Sequence, residues 1–236
     1  MPGLFVTGTD TDVGKTLVSA ALLRALRDLG IAAVGMKPIA AGATRIGETW
    51  VNGDVTLLRA ASGIEAPAQW VNPYLFRDPI APHIAAERKG VRIEIPRIVD
   101  AYAHLADLAD WVVVEGAGGF RIPLDDRRDS ADLAVALGLP VLLVVGLRLG
   151  CLNHALLTAE AIAARGLSLA GWIGNRLDPD MAAFEDNLAS LEQRLPAPCL
   201  AVLPWLPEAT PERAARWLPP RRLSTWLAAF PHSNSG

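Results

Sequence analysis

The chain has 236 residues, with 22 Lys and Arg against 25 Asp and Glu and a formal net charge of −3. Hydrophobic residues make up 51% and charged residues 20%, which excludes global disorder and allows a sizeable core. The near-neutral balance lacks the basic footprint of a nucleic-acid binder, and the longest uncharged run, 133–147, is too short and too broken by Gly138 and Pro140 to span a membrane.

In chain order, residues 3–7 read as a strand, 15–29 as a helix stopped by Gly30, and 31–36 as a second strand. Residues 66–82 are rich in Pro and aromatics without a period and read as a long ordered loop. A helix at 97–109 leads to an uninterrupted apolar strand, 111–115, that ends in Glu115. A helix at 130–137 precedes a strand at 141–145, ended by Gly146, and then a helix at 153–165. Weaker strands at 167–173 and 199–203 flank a helix at 181–195. Residues 1–231 read as one domain and 232–236 as a flexible tail. Strands that are apolar throughout are buried on both faces, and their alternation with helices points to a mostly parallel central sheet with helices on both faces. The start Met1-Pro2-Gly3-Leu4 has no basic leader, and Cys151 and Cys199 are too few for a disulfide framework, so a soluble, cytoplasmic protein is expected.

The strongest motif is Gly8-Thr9-Asp10-Thr11-Asp12-Val13-Gly14-Lys15-Thr16, set between the first strand and the first helix. Its glycines let backbone N–H groups turn towards phosphate oxygens, and the helix N-terminus adds a favourable dipole. Lys15 would reach the outer phosphates and the Thr16 hydroxyl would hold Mg²⁺. The strict pattern requires glycine at position 9, where this chain has Thr9, and Gly8 stands one residue earlier. The fold expected is therefore an α/β, single P-loop-type domain.

Other residues gather at predicted strand ends, where parallel sheets bind ligands. Glu115 and Asp54 are candidate Mg²⁺ ligands beside Thr16; the alternatives are a structural acid and an N-cap for 55–60. Lys37 ends the second strand, where a cation would stabilise charge on a transferred phosphoryl group, or else is solvated. Gly116-Ala117-Gly118-Gly119 is either a close approach to a ligand or a tight turn. Gly150-Cys151-Leu152-Asn153 opens a helix, with free N–H groups suited to a carboxylate or to nothing in particular. Asn175 ends a late strand and can pair with a purine edge; Asn175 with Asp178 also resembles a guanine-reading motif. Pro204-Trp205-Leu206 would flank a base or form a structural loop. The four histidines form no close pair, so neither a zinc site nor a triad is expected.

Read together, the loop from Phe5 to Thr16, Lys37-Pro38, Val71-Asn72-Pro73-Tyr74, Val114-Glu115-Gly116-Ala117-Gly118-Gly119, Leu149-Gly150-Cys151-Leu152-Asn153-His154-Ala155, Ala170-Gly171-Trp172 and Pro204-Trp205-Leu206 resemble the dethiobiotin synthetases, in order, over residues 4–206. The resemblance implies an ATP- and Mg²⁺-dependent carboxylation of 7,8-diaminopelargonic acid with CO₂. The steps would be a carbamate, a carbamic-phosphoric anhydride and closure of a cyclic urea. It implies that Lys37, Lys15 and Thr11 act at the reacting groups, and that Thr16, Asp54 and Glu115 hold Mg²⁺. Asp12, Val13, Gly14, Lys15, Thr16, Gly116, Ala117, Gly118, Asn175, Arg176, Pro204, Trp205 and Leu206 would bind the nucleotide. Ala41 and Gly118 would line the substrate, whose carboxylate would meet Gly150, Cys151, Leu152 and Asn153 of the partner in a homodimer. Ala41 stands where the family commonly has Ser, with Thr44 as a compensating group, and Asp12 where Glu is commoner. A ribose-holding acid corresponds to Glu208 or Glu212.

Two other readings compete. One is a nucleotide-switch ATPase of the partition or septum-site type. The other is a GTP-using enzyme, motivated by Asn175 and Asp178.

Overall fold

The computed structural model describes residues 3–230, so the 232–236 tail lies outside the described residues. The first strand, β1 (Gly3–Gly8), is buried at every position. It leads through the phosphate loop into α1 (Lys15–Asp28), whose buried stripe Val18, Leu22, Leu23 and Leu26 faces the sheet. Next come β2 (Ala33–Met36), the short β3 (Ile39–Ala40), and an exposed hairpin of β4 (Thr44–Ile46) and β5 (Thr49–Val51). They are followed by α2 (Gly53–Ala61), α3 (Ala68–Val71), β6 (Tyr74–Leu75), α4 (Pro82–Arg88) and α5 (Ile95–Leu108). The second half runs β7 (Trp111–Glu115), α6 (Ser130–Leu137), β8 (Val141–Leu147), α7 (Cys151–Ala164), β9 (Leu169–Arg176), α8 (Phe184–Arg194) and β10 (Cys199–Leu203). Two C-terminal helices, α9 (Pro211–Ala215) and α10 (Pro220–Ala228), close the described chain. No described helix is long and apolar enough to cross a membrane.

Six strands form one parallel sheet in the order β10-β9-β8-β1-β7-β2. Each strand puts alternate side chains on opposite faces, so the core divides in two. Leu4, Val6, Val113, Leu142 and Val144 pack with α1, α2, α9 and α10 on one face. Phe5, Val112, Val114 and Val141 pack with α5 and α6 on the other, and Leu143, Val145 and Trp172 continue that layer under α7 and α8. The sequence expectation of an α/β domain with helices on both faces holds.

Four local expectations need correction. β8 does not stop at Gly146 but runs on to Leu147, because Gly146 pairs with Asn175 across the sheet. β9 starts and ends later than read, which places Asn175 and Arg176 inside the strand. Residues 66–82 are not only loop, since they carry α3 and β6, and β6 pairs with β3. Asp54 lies in the first turn of α2, and the cap of that helix is Asn52, whose side chain accepts from the Val55 N–H.

From β1 the chain leaves through α1 on one face of the sheet, whereas from its two neighbours, β7 and β8, it leaves through α6 and α7 on the other. The reversal opens a crevice at the carboxyl end of β1, where the phosphate loop starts. The sheet that supports it tolerates little added volume. A Cβ on Gly35 in β2 would stand 2.9 Å from Leu23 Cδ1 and 3.0 Å from Leu58 Cβ, wedging α1 and α2 away from the strand. Gly35→Ala is expected to lower unfolding stability by about 1–3 kcal/mol; urea denaturation followed by far-UV circular dichroism measures it, and an unchanged midpoint would refute this packing.

Candidate active site

The phosphate loop is held by its own backbone geometry. Gly14 caps α1 at φ 89°, and Asp12 takes φ 58°, a conformation that short polar Asp tolerates better than Glu does. Thr9, at the position of the missing glycine, ties the loop to the sheet. Its N–H donates to the Val144 carbonyl at 3.0 Å, and its hydroxyl accepts from the Gly146 N–H at 3.3 Å. Gly146 gives the loop room on this side, because a Cβ there would stand 2.8 Å from Val13 Cγ1 and 3.1 Å from Val13 Cβ.

A cleft of about 310 Å³ opens over the loop, lined by Thr11, Asp12, Gly14, Lys15, Thr16, Lys37, Asp54, Glu115 and Gly118. Nine of the residues singled out from sequence therefore come together. Glu115, at the end of β7, is fully buried. Its Oε1 accepts from the Thr16 hydroxyl at 2.8 Å and from Lys37 Nζ at 2.6 Å. The same Lys37 ammonium pairs with Asp54 at 2.8 Å. Lys37 is only 4% exposed, so the alternative of a solvated strand-end lysine is excluded. Burial opposes its charge, but Glu115 and Asp54 together outweigh burial and raise its pKa above the ordinary lysine value. For Asp54, burial pushes upward and Lys37 more than offsets it, so its carboxyl titrates below the usual range.

Lys15 differs. Its Nζ donates to the Asp10 carbonyl at 2.9 Å, and it has no carboxylate of its own. Burial, with repulsion from Lys37, brings its pKa down to about 8. A buried cation without a paired carboxylate suits an anionic ligand, which would raise its pKa again.

Two asparagines without an assigned role in the sequence position this cluster. Asn72 Nδ2 donates to the Lys37 carbonyl at 2.6 Å and to the Tyr74 carbonyl at 3.0 Å. Asn52 Nδ2 donates to the Ala41 carbonyl at 3.0 Å while its Oδ1 caps the helix that carries Asp54. The signal for Asn52 was legible, since Asn three residues before Val55 has N-cap spacing. Asn72 acts through a contact distant in sequence, which no local pattern encodes.

The remaining residues divide. Asn175 is buried, and its Nδ2 donates to the Val13 carbonyl at 3.0 Å, so it braces the loop from β9. Arg176 stacks on Phe184 at 4.3 Å and donates to the Asp178 and Pro179 carbonyls, so its side chain is engaged within its own turn. Gly116 packs against Phe5, where an added Cβ would stand 3.1 Å from the ring, and Ala117 follows it in the loop that carries Gly118 to the cleft. Trp205 is exposed after β10, between the half-buried Pro204 and Leu206. Ala41 packs against the core, and neither it nor Thr44 is among the residues lining the cleft. Gly150 caps α7 at φ 95°, with Cys151, Leu152 and Asn153 in the first turn, outside the cleft of the same chain. Cys151 is buried and burial raises its thiol pKa, which fits a small apolar residue rather than a nucleophile. Glu208 and Glu212 pair with Arg213 and Arg24 respectively.

The donor set suits a hard cation. Glu115 Oε2 is buried with no hydrogen-bond partner, and Asp54 and the Thr16 hydroxyl lie beside it. Two carboxylates and a hydroxyl match the few protein oxygens that Mg²⁺ takes besides water and phosphate. Among the described residues, no group of three or more His, Cys, Asp or Glu forms a metal cage.

A family model described as an AAA domain matches residues 2–213. ATP-dependent dethiobiotin synthetase BioD of Aromatoleum aromaticum is 56% identical over 211 residues, covering 89% of this chain and 94% of that protein. The protein of the same name from Ralstonia nicotianae is 57% identical over 211 residues, covering 89% and 92%. The chain belongs to the dethiobiotin synthetase family. Among solved structures, the MinD cell division protein of Aquifex aeolicus superposes with a TM-score of 0.58 at 16% identity, covering 95% of this chain and 98% of that one. That likeness is one of fold. The identity to the synthetases sets aside the partition-type reading.

Two measurements follow. In the nucleotide- and metal-free protein, Lys15 binds its proton less tightly folded than unfolded, so stability should rise with pH between about 8 and 10.5, by on the order of 3 kcal/mol. Denaturant titrations across that window should show the rise in the wild type and its loss in Lys15→Met. Gly146→Ala should displace Val13 and weaken ATP binding about tenfold or more, read by isothermal titration, with the fold retained.

Proposed function

We propose that this chain catalyses ATP- and Mg²⁺-dependent closure of 7,8-diaminopelargonic acid and CO₂ to dethiobiotin, as a cytoplasmic homodimer. The observation that carries this reading is the convergence of two buried lysines, two carboxylates and the Thr16 hydroxyl in one cleft over a phosphate loop. The cleft is lined by no Cys, His or Ser. Chemistry in which the substrate brings both nucleophiles needs none, since the protein then supplies positioning and charge.

In this reading an amine of the substrate adds to CO₂ and loses a proton, giving a carbamate. A carbamate oxygen attacks the γ-phosphorus and ADP leaves. The second amine then attacks the carbonyl carbon of the mixed anhydride, phosphate leaves with the C–O bond electrons, and the ring nitrogen sheds its proton. Lys37 and Lys15 place positive charge against the carbamate and the transferred phosphoryl group, and Thr11 and Gly118 border the substrate. Thr16, Asp54 and Glu115 would hold Mg²⁺, which when bound neutralises phosphate charge. Asp12, Val13, Gly14, Gly116 and Ala117 would surround the phosphates from the backbone.

The base would lie between Asn175, Arg176 and Pro204 to Leu206. With the Asn175 Nδ2 already donating to Val13, its Oδ1 is suited to accept from the adenine amino group, which favours ATP over GTP. The substrate carboxylate would meet Gly150 to Asn153 of a second copy. This is supported by their place outside their own cleft and by the neighbouring Leu149, which is 92% exposed.

Incubation with diaminopelargonate, bicarbonate, ATP and Mg²⁺ is expected to give dethiobiotin by mass spectrometry. Lys37→Ala should cut the rate by about 10²-fold or more. No product at millimolar substrate would overturn the assignment, and full turnover in Lys37→Ala would remove that residue from the chemistry.

A further inference from the structure

A second, larger cavity of about 390 Å³ shares no lining residue with the phosphate cleft. It lies between the β4–β5 hairpin and the segment from β6 to α4, and its size is that of a small-molecule site. The walls are apolar, formed by Trp50 of β5, Leu75 of β6, Phe76 just after it and Ala85 of α4. Trp50 is 43% exposed on a hairpin that is exposed at every position but the half-buried Val51, so the tryptophan is not there to fill a core.

The rim is cationic. Arg77, Arg88 and Lys89 border the cavity, with Asp78 the one acid among its lining residues. Asp78 is 3.3 Å from Arg77 and 3.8 Å from Arg88, the latter longer than a hydrogen bond. Lys89 Nζ donates to the Leu75 carbonyl at 3.2 Å and lies 5.8 Å from the centre of the Phe76 ring, which fixes the ammonium at the cavity edge with donors to spare. An apolar chamber with surplus positive charge at its mouth matches a ligand with a hydrocarbon body and a single anionic end. A polyanion would meet Asp78 and leave the aromatic walls unused. A planar carboxylate fits the arginine fork.

We propose that this cavity binds a medium-chain aliphatic monocarboxylate, its chain against Trp50, Leu75 and Phe76 and its carboxylate between Arg88 and Lys89. The site is distinct from the phosphate cleft. It abuts the β3–β6 ribbon that continues from Lys37, where the Phe76 N–H donates to the Ala40 carbonyl at 2.8 Å.

Isothermal titration of the full chain with octanoate at low salt tests the proposal, with butyrate as the short-chain control. Octanoate should bind and butyrate should bind at least about tenfold more weakly, because the apolar wall contributes per methylene. The double variant Arg88→Glu/Lys89→Glu should weaken octanoate about tenfold or more. Trp50→Ala, on the exposed hairpin, should weaken it several-fold and serves should the charge-reversed variant fail to fold; circular dichroism melting checks both. Lys15→Ala should leave octanoate binding unchanged. Equal binding of butyrate, insensitivity to both cavity variants, loss in Lys15→Ala, or no binding at all would each overturn the proposal.

Discussion

The buried contact between Lys37 and Glu115 organises the site. Glu115 is fully buried, Lys37 nearly so, and the two meet at 2.6 Å where β7 and the end of β2 come side by side. A charge pair removed from water is no bargain for stability, since apolar residues of the same volume often serve as well. It persists only while each charge is compensated. Here Thr16 and Asp54 complete the compensation from α1 and α2. Two carboxylates and one ammonium thereby fix the relative positions of two strands and two helices at the crevice beyond β1.

The neighbouring Lys15 shows the opposite arrangement, and the contrast is informative. Both lysines are buried in one cleft, yet one is raised and the other lowered in pKa, because the carboxylates lie closer to Lys37. Repulsion between the two ammoniums adds to the imbalance. A phosphate chain entering the cleft would relieve that repulsion and raise the Lys15 pKa again, so anion binding and protonation of Lys15 favour each other.

Much of the fold was legible because its strands are apolar on both faces, which leaves little freedom in reading them. β7 at 111–115, β10 at 199–203 and α6 at 130–137 have the bounds expected from pattern alone. The reading failed where pairing partners decide the end of a strand. Gly146 read as the stop after its strand and Asn175 only as the end of one, yet each pairs with the other inside the sheet. It failed again at 66–82, where β6 exists only because β3 lies beside it. In the site, charged and glycine-rich positions announced themselves by spacing. Asn52 carried N-cap spacing, but Asn72, which holds Lys37, did not announce itself, because it acts on carbonyls, and every residue has a carbonyl.

Asn175 connects the far side of the sheet to the phosphate loop. Its amide donates to Val13, and the same side chain crowds Gly14 so closely that an added Cβ would stand 2.2 Å from Nδ2. Gly14 is thus glycine for two reasons, its left-handed backbone and the absence of room. On the opposite flank, Val13 is pressed against Gly146 and tied through Thr9 to the same strand. The loop is clamped from β8 and β9 together, which explains how it keeps its curve although the usual glycine at position 9 is a threonine. In the proposed nucleotide pose, a base beside Asn175 and phosphates over Val13 and Gly14 would both bear on the one hydrogen bond from Asn175 to Val13.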